Sequence, residues 1–249
     1  MTAEYSSPAE GVGCIRLNRP RRLNAVTPEL IDGILDGFDR ADADGVRVIV
    51  LAGNGTAFCA GWDLKEPPIE ETRDEARARL QRLQDVTRRT MSFPGPVIAA
   101  VQGYALGAGA EFALGCDLVI ASQDAIFGFP EVDVGLSGTN AISALLPRMV
   151  GIMRAKELAL LGERFDADRA FDLGLVTRVV PMGAHENAAF HIAGELAAKP
   201  PVALRLAKRL LDEGMQSTVS QALGAEVDAA LDTLDSGENA AAAESFRSR

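Results

Sequence analysis

The chain has 249 residues, of which 47% are hydrophobic and 24% are charged, a composition typical of a soluble globular protein with a sizeable core. Its 35 acidic and 25 basic residues give a formal net charge of −10, which disfavours nucleic acid as a partner. The sequence begins without a basic and apolar leader, so we expect no signal peptide, and no apolar run is long enough to predict a membrane span.

Strands and helices are predicted to alternate over the first 180 residues. A strand over 11–17 precedes a basic loop, and Thr27 followed by Pro28 predicts the start of a helix. The continuous apolar runs at 46–51 and 97–101 predict strands that are buried on both faces. Alternation of this kind favours an α/β core with crossover helices.

Only helices are predicted after residue 183. Before that point, the charged run 70–79 is either a mobile flap leading into a helix or a solvated linker. The other predicted elements are strands at 118–121, 126–129 and 175–180, and helices within 135–148, 153–161, 166–174, 184–198, 202–213, 218–234 and 239–246.

The segment 103–131 joins a run of small residues to two carboxylates. Gly107 and Ala108 lie within the run, Glu111 follows it closely, and Glu131 ends the segment. Small residues let a backbone lie against a ligand, and if they open a helix, its free N–H groups favour negative charge there. A tight helix–strand packing contact is the alternative interpretation of the run.

A second loop of the same kind, at 53–66, follows the strand predicted at 46–51. Ala60 and Gly61 again stand between a strand and a polar turn. Two such turns with exposed N–H groups supply what an oxyanion hole needs, namely two donors aimed at one oxygen.

Several stretches, in the right order and spacing, carry a resemblance to a known family. They are CIRLNRPRRLNAV (14–26), VIVLAGNGTAFCAGWDLKE (48–66), PVIAAVQGYALGAGAEFALGCDLVIAS (96–122), FGFPEVDVGL (127–136), PRMVG (147–151) and ADRAFDLGLVTRVV (167–180). The chain resembles the crotonase (enoyl-CoA hydratase/isomerase) superfamily over nearly its whole length. Periodicity alone does not separate the fold of that family from a doubly wound sheet.

The resemblance implies a fold and an assembly. The fold is an α/β, crotonase-like spiral of repeated β-β-α turns, with residues 1–195 as the catalytic core and 196–249 as a C-terminal, all-helical oligomerisation region. In the family such helices cover the active site and build a trimer, often paired into a hexamer. The alternative is that these helices only cap the monomer.

The resemblance also implies an activity, that of an enoyl-CoA hydratase. The backbone N–H groups of Trp62 and Ala108 would form the oxyanion hole for the thioester oxygen. Glu111 would act as base on a water molecule, and Glu131 would deliver a proton to the α-carbon. Syn addition of water across a 2-enoyl-CoA would then give a 3-hydroxyacyl-CoA. Apolar neighbours of the carboxylates favour one raised pKa.

Coenzyme A is expected as part of the substrate, with no separate cofactor and no metal. Lys65 and the arginines are apt partners for its phosphates, although a solvated loop is the alternative for these basic residues. His185 and His191 are six residues apart on a predicted helix and do not share a face as metal ligands would. The expected contacts with coenzyme A and the acyl group are Arg21, Arg22, Leu23, Ala60, Asp63, Leu64, Lys65 and Thr139.

Trp62, Thr139 and Asn140 depart from the family pattern, in which small residues are common at these places. The indole either narrows the acyl or pantetheine channel or packs in the core. Thr139 and Asn140 either crowd the water or supply hydrogen bonds to it or to a polar acyl group. A double-bond isomerase, a hydrolase and a decarboxylase therefore remain alternatives to the hydratase.

Two alternatives are not enzymes, namely a ring-forming scaffold and an RNA-binding relative. The acidic charge argues against RNA, and the presence of both glutamates argues against a scaffold without activity. Acyl type, pathway and the choice between trimer and hexamer stay open.

The cysteines Cys14, Cys59 and Cys116 are odd in number and share no metal-type spacing, which suits a reducing cytoplasm. Cys59 lies near the proposed oxyanion turn, so a nucleophile is a minor alternative, although no histidine lies near it in sequence.

Overall fold

The computed structural model describes residues 1–67, 70–240 and 243. Its strands are β1 (Ala3–Ala9), β2 (Val12–Leu17), β3 (Val48–Gly53), β4 (Val97–Val101), β5 (Tyr104–Leu106), β6 (Leu118–Ser122), β7 (Ile126–Gly128), β8 (Phe165–Asp166) and β9 (Arg178–Val180). Its helices are α1 (Pro28–Ala43), α2 (Arg73–Ser92), α3 (Ala108–Leu114), α4 (Ile142–Val150), α5 (Ile152–Leu161), α6 (Ala167–Asp172), α7 (His185–Ala197), α8 (Pro201–Gly214) and α9 (Val219–Asp235).

The strands form one large sheet and one small sheet. The large sheet has the order β1-β2-β3-β4-β6-β9 and is parallel except for β1, which pairs antiparallel with β2 at the edge. The small sheet has the order β5-β7-β8. The chain adds β4 to the large sheet and β5 to the small one, then repeats this with β6 and β7, so it winds as a spiral.

Isolated bridges continue the small sheet into the earlier turns of the spiral. Val26 pairs with Trp62, and Cys59 pairs with Ala105, both in parallel. These pairs bring the loop after β3 beside the loop after β4. The spiral therefore places the two glycine-containing turns next to each other.

The central strands are buried on both faces, as their continuous apolar runs predict. Ile49 and Leu51 of β3 face the core that α1 covers, and the alternate residues Val48 and Val50 face the core that α7 covers. Helix α1 begins where Thr27 and Pro28 predict, and the Thr27 side chain accepts a hydrogen bond from the Leu30 amide. Buried side chains therefore pack against both faces of the large sheet.

Most predicted elements are present, and the differences lie mainly in short or polar segments, including the unpredicted two-residue strand β8. The edge strand β1 escapes prediction because its outward residues are polar, and β5 escapes because it lies inside the glycine run. The charged run predicted as a flap or linker is helical from Arg73, and a capping box between Thr72 and Glu75 begins the helix. The helix predicted at 239–246 lies largely outside the described residues.

Helix α8 is fastened to the core by a buried lysine. Lys208 Nζ donates to the Thr90 and Gly95 carbonyl oxygens, at 3.3 and 3.0 Å, and to Asp117 Oδ2 at 2.9 Å. Its side chain is 8% exposed, so the charge is paired as burial requires. Over the part of the chain that is described, no helix has both the length and the apolar character needed to cross a membrane.

Candidate active site

Two backbone turns meet at the centre of the candidate site. The Cys59 amide donates to the Tyr104 carbonyl at 2.9 Å, and the Leu106 amide donates to the Cys59 carbonyl at 3.0 Å. Gly61 has a φ of +87°, and a Cβ added there would lie 2.8 Å from the Leu106 oxygen and 3.8 Å from the Ala108 nitrogen. Only glycine permits this approach.

The turns leave two amide groups without acceptors. On either side of Trp62, the Val26 amide donates to Gly61 at 2.8 Å and the Asp63 amide donates to Val26 at 3.0 Å. Ala108 is the first residue of α3, where the N–H lacks a partner within the helix. Across residues 1–67 and 70–240, neither the Trp62 nor the Ala108 amide donates a hydrogen bond. These are the two N–H groups that the family resemblance assigns to an oxyanion hole.

Glu111 is fully buried and held in one orientation by three hydrogen bonds. The Thr139 amide donates to Oε1 at 2.7 Å, and Oε2 accepts from Thr139 Oγ1 at 2.5 Å and from Asn140 Nδ2 at 2.9 Å. Asn140 in turn accepts a bond of 3.1 Å from Thr87 Oγ1. Thr139 and Asn140, which depart from the family pattern, thus bind the carboxylate. Oε1 keeps one acceptor position open.

The second carboxyl group, that of Glu131, has the opposite environment. Its Oε1 is buried, finds no hydrogen-bond partner among the described residues, and lies 3.1 Å from where a Cβ on Gly107 would stand. Burial, with a smaller contribution from the negative charge of Glu111, raises the pKa of Glu131 to about 7. A carboxyl group of this kind holds and releases a proton near neutral pH.

A cavity of about 330 Å³ joins the two turns to Glu131, and Thr139, which binds Glu111, lines it as well. The main-chain turns, Glu131 and Thr139 line it together with Arg79, Ser137 and several apolar side chains. Its lining residues are Ala60, Gly61, Trp62, Leu64, Arg79, Leu80, Leu83, Gly107, Ala108, Pro130, Glu131, Val134, Leu136, Ser137 and Thr139. The cavity has the apolar walls and few convergent polar groups of a ligand site.

The residues expected to contact coenzyme A divide into two groups. Ala60 and Leu64 line the cavity, and Arg21, Leu23 and Lys65 are exposed beside it. The Ala60 amide donates to the Leu23 carbonyl at 3.0 Å, which ties the basic loop to the first oxyanion turn.

Asp63 and Arg22 are instead engaged with each other. Asp63 is 5% exposed and forms ion pairs of 3.0 Å with both Arg22 and Arg19. Burial opposes ionisation of Asp63, but the Lys65 amide and the two guanidinium groups outweigh it and lower the pKa of the carboxyl. The Asp63 side chain therefore braces the loop from within, whereas the Arg22 side chain remains 37% exposed to a ligand.

Asn24, Arg19 and Arg79 have no place among the candidate residues that the sequence suggests. Asn24 is fully buried with a φ of +54°, and its amide donates to the Asn54 and Ala57 carbonyl oxygens at 2.9 and 2.8 Å. Asparagine tolerates this left-handed conformation better than most residues. That preference is the one signal by which the sequence could have marked Asn24.

The structure gives no support to Cys59 as a nucleophile or to the two histidines as a pair of metal ligands. Burial raises the pKa of Cys59 to about 12, so its thiol stays protonated, which is wrong for a nucleophile. His185 is buried and His191 is exposed, and the described residues contain no cluster of metal-ligating side chains.

Comparison with known proteins identifies the family. The sequence model described as "Enoyl-CoA hydratase/isomerase" matches residues 7–247. The chain belongs to the enoyl-CoA hydratase/isomerase family. A relative named "Putative enoyl-CoA hydratase" from Thermus thermophilus is 39% identical over 203 residues, which are 80% of this chain and 80% of that protein.

Two further proteins, both named as enoyl-CoA hydratases, are similar to the chain in sequence or in structure. The "Short-chain-enoyl-CoA hydratase" of Clostridium acetobutylicum is 34% identical over 221 residues, which are 88% of this chain and 84% of that protein. The crystal structure of an enoyl-CoA hydratase from Bacillus anthracis has a TM-score of 0.94 and 32% identity, covering 100% of this chain and 96% of that one. The predicted crotonase-like α/β fold is thereby confirmed.

Proposed function

We propose that the protein is an enoyl-CoA hydratase that adds water in the syn sense across a 2-enoyl-CoA to give a 3-hydroxyacyl-CoA. The observation that carries the proposal is the pairing of Glu111, fixed by three hydrogen bonds, with Glu131, whose pKa is raised to about 7, beside two free amide groups. Two carboxyl groups with different environments suit acid and base duty.

The free amides of Trp62 and Ala108 would polarise the thioester carbonyl. As the enolate forms, negative charge develops on that oxygen, and each donor in such a preorganised hole contributes roughly 3–4 kcal/mol. The apolar walls of the cavity strengthen these interactions because they exclude water. The same amides serve any acyl-CoA reaction that passes through an enolate.

The two glutamates would divide the proton transfers. Glu111, through its open position on Oε1, accepts a proton from water while the water oxygen bonds to the β-carbon. Glu131, protonated at its unpartnered carboxyl, delivers a proton to the α-carbon. The carboxylates then exchange protons with solvent to restore the starting state.

Coenzyme A would enter along the basic loop. Arg21, Arg22 and Lys65 keep exposed cationic groups there, although the protein as a whole is acidic. A guanidinium pairs with phosphate in bidentate geometry, which suits the charged end of the ligand. The activity requires no separate cofactor.

A double-bond isomerase is the second candidate, and one observation favours it. Three of the acceptor positions of Glu111 are occupied by Thr139 and Asn140, whereas Glu131 Oε1 is unbound. Glu131 alone could remove a proton from one carbon of a 3-enoyl-CoA and return it to another. This reaction needs no water.

Hydration of crotonyl-CoA tests the proposal directly. Loss of the conjugated enoyl-thioester absorbance on addition of the purified protein is expected, together with formation of 3-hydroxybutyryl-CoA in equal amount. Consumption of absorbance with release of a free thiol would instead indicate thioester hydrolysis. Binding of CoA without any reaction of 2-enoyl or 3-enoyl thioesters would contradict both candidate activities.

We also propose that residues 196–249 assemble the chain into a homotrimer or a dimer of trimers. Val219, Leu223, Val227 and Leu231 are more than half exposed and recur every four residues, so they form one apolar face of α9. Sedimentation equilibrium should give three or six times the monomer mass. A monomer at micromolar concentration would contradict the assembly.

A cytoplasmic location is proposed as well, because all three cysteines are free thiols.

A further inference from the structure

The proposed reaction uses only the backbone amide of Trp62, and the Trp62 side chain stacks against Arg79. The guanidinium carbon of Arg79 lies 4.9 Å from the centre of the Trp62 ring. Glu71 holds the same guanidinium through Nε, at 3.1 Å, and Nη2, at 2.6 Å. Glu71 and Arg79 are both partly buried, with side-chain exposures of 15% and 23%. Ring and carboxylate thus fix the arginine from two sides.

This stack stands between two cavities. The cavity with Glu131 and Thr139 has a volume of about 330 Å³, and a neighbouring cavity of about 300 Å³ lies toward Thr27 and Glu71. Three residues line both cavities, namely Trp62, Leu64 and Arg79. Trp62 and Arg79 therefore form a wall shared by the two cavities, and Leu64, which is 60% exposed, forms its outer edge.

The neighbouring cavity has mixed walls. Val26, Pro28 and Pro67 contribute apolar surface, while the carboxylates of Asp63 and Glu71 are each paired with arginine. An acyl chain could enter it only if the Arg79 side chain moved away from both Trp62 and Glu71. That movement would break both the ion pair of Arg79 with Glu71 and its contact with the Trp62 ring, at a partly buried position.

We propose that the Glu71–Arg79–Trp62 stack sets the acyl-chain length that the site accepts, limiting it to short 2-enoyl groups. The inference rests on the proposed acyl-CoA activity, because it assigns the cavity beside Glu131 to the acyl group. Arg79 acts by its volume and its fixed position. A longer chain reaches the wall and is excluded, whereas a short chain ends before it.

The experiment measures affinity and turnover across chain length. Binding of butyryl-CoA and decanoyl-CoA, which are saturated and cannot be hydrated, is followed by calorimetry, and kcat/KM is measured for crotonyl-CoA and trans-2-decenoyl-CoA. The wild type is expected to prefer the short member in both assays. Because binding does not depend on hydration, a chain-length preference is detectable even where the proposed hydratase activity fails.

Two variants separate volume from charge. The double variant Glu71→Gln/Arg79→Ala removes the Arg79 part of the wall and leaves no unpaired carboxylate. It should raise the long-to-short ratio of affinities by at least tenfold, the effect of about one methylene of pocket space. The double variant Glu71→Gln/Arg79→Met keeps a side chain of similar reach without the charge and without an unpaired carboxylate, and it should keep the wild-type preference. Arg82→Ala is the matched control, because Arg82 lies on the same helix but pairs with Asp32 at the surface.

Three results would overturn the inference. An unchanged ratio in the folded double variant, as judged by thermal unfolding, would show that the acyl chain does not meet this wall. Equal weakening of both ligands and of free CoA would place the pantetheine arm at Arg79 instead. If Glu71→Gln/Arg79→Met selectively weakened the binding of an enoyl-CoA with a terminal carboxylate, Arg79 would be an anion-binding residue and not a limit on chain length.

Discussion

Replacing Glu131 with glutamine should lower the rate of crotonyl-CoA hydration by about 10²–10⁴-fold. Glutamine has the same shape but cannot release a proton to the α-carbon. The Glu131 carboxyl forms no side-chain hydrogen bond through Oε1 in the described residues, so the substitution should leave the fold intact. Thermal unfolding and CoA affinity near wild-type values would confirm that only the proton transfer is lost. Retention of more than a tenth of the rate would contradict the role assigned to Glu131.

The raised pKa of Glu131 predicts the pH dependence of the same reaction. Hydration requires the protonated acid, so the rate should fall as the pH rises through about 7, whereas dehydration of 3-hydroxybutyryl-CoA requires the carboxylate and should rise. The raised pKa of Glu131 also predicts how the free energy of unfolding depends on pH. A carboxyl group whose folded pKa lies above its ordinary value of 4.5 stabilises the fold most below that value. The free energy of unfolding should therefore decline between pH 4.5 and about 7, and the decline should be smaller in Glu131→Gln.

Much of the fold was predictable because buried strands carry a simple signal. The segments Val48–Gly53 and Val97–Val101 are apolar on both faces, and the structure buries every residue of both. Strand β1 was missed since Glu4 and Ser6 point to solvent at the edge of the sheet. The resemblance, and not periodicity, separated a spiral from a doubly wound sheet.

The candidate site was only partly predictable, because its details depend on contacts that are distant in sequence. The small residues around Gly61 and Ala108 signalled the paired amides, since glycine marks close backbone approach. The bonding of Asn140 to Glu111 depends on a left-handed φ of +47°, for which the sequence shows no glycine. Arg79 reaches Trp62 only because α2 crosses the cavity. In each case a side chain acquires its role from a partner that packing selects.

Replacing Glu111 with glutamine should separate the two candidate activities. Hydration should fall by about 10²–10⁴-fold because the amide cannot accept the proton of water. The rate of isomerisation of a 3-enoyl-CoA to its 2-enoyl form is measured by the gain of conjugated absorbance. This rate should fall by less than tenfold, because Glu131 can transfer the proton alone. The fall in the hydration rate is compared with the fall in the isomerisation rate on the same preparation of Glu111→Gln. A much larger fall in hydration would show that Glu111 serves hydration alone.

In Glu111→Gln, the new side-chain amide also faces the hydrogen-bond donors that hold the Glu111 carboxylate in the wild type. One of its faces is an NH₂ group, which cannot accept from the Thr139 amide or from Asn140 Nδ2, so one buried donor loses its partner at a cost of about 1–3 kcal/mol. Thr139→Val is the matched control for this loss, because it removes the Oγ1 donor from Glu111 Oε2 without adding a charge and leaves the base in place. If that control lowers hydration as much as Glu111→Gln does, Glu111 acts through position and not as the base. If Glu111→Gln abolishes isomerisation and hydration alike in a folded protein, both reactions require two carboxylates, and the single-carboxylate route through Glu131 is wrong.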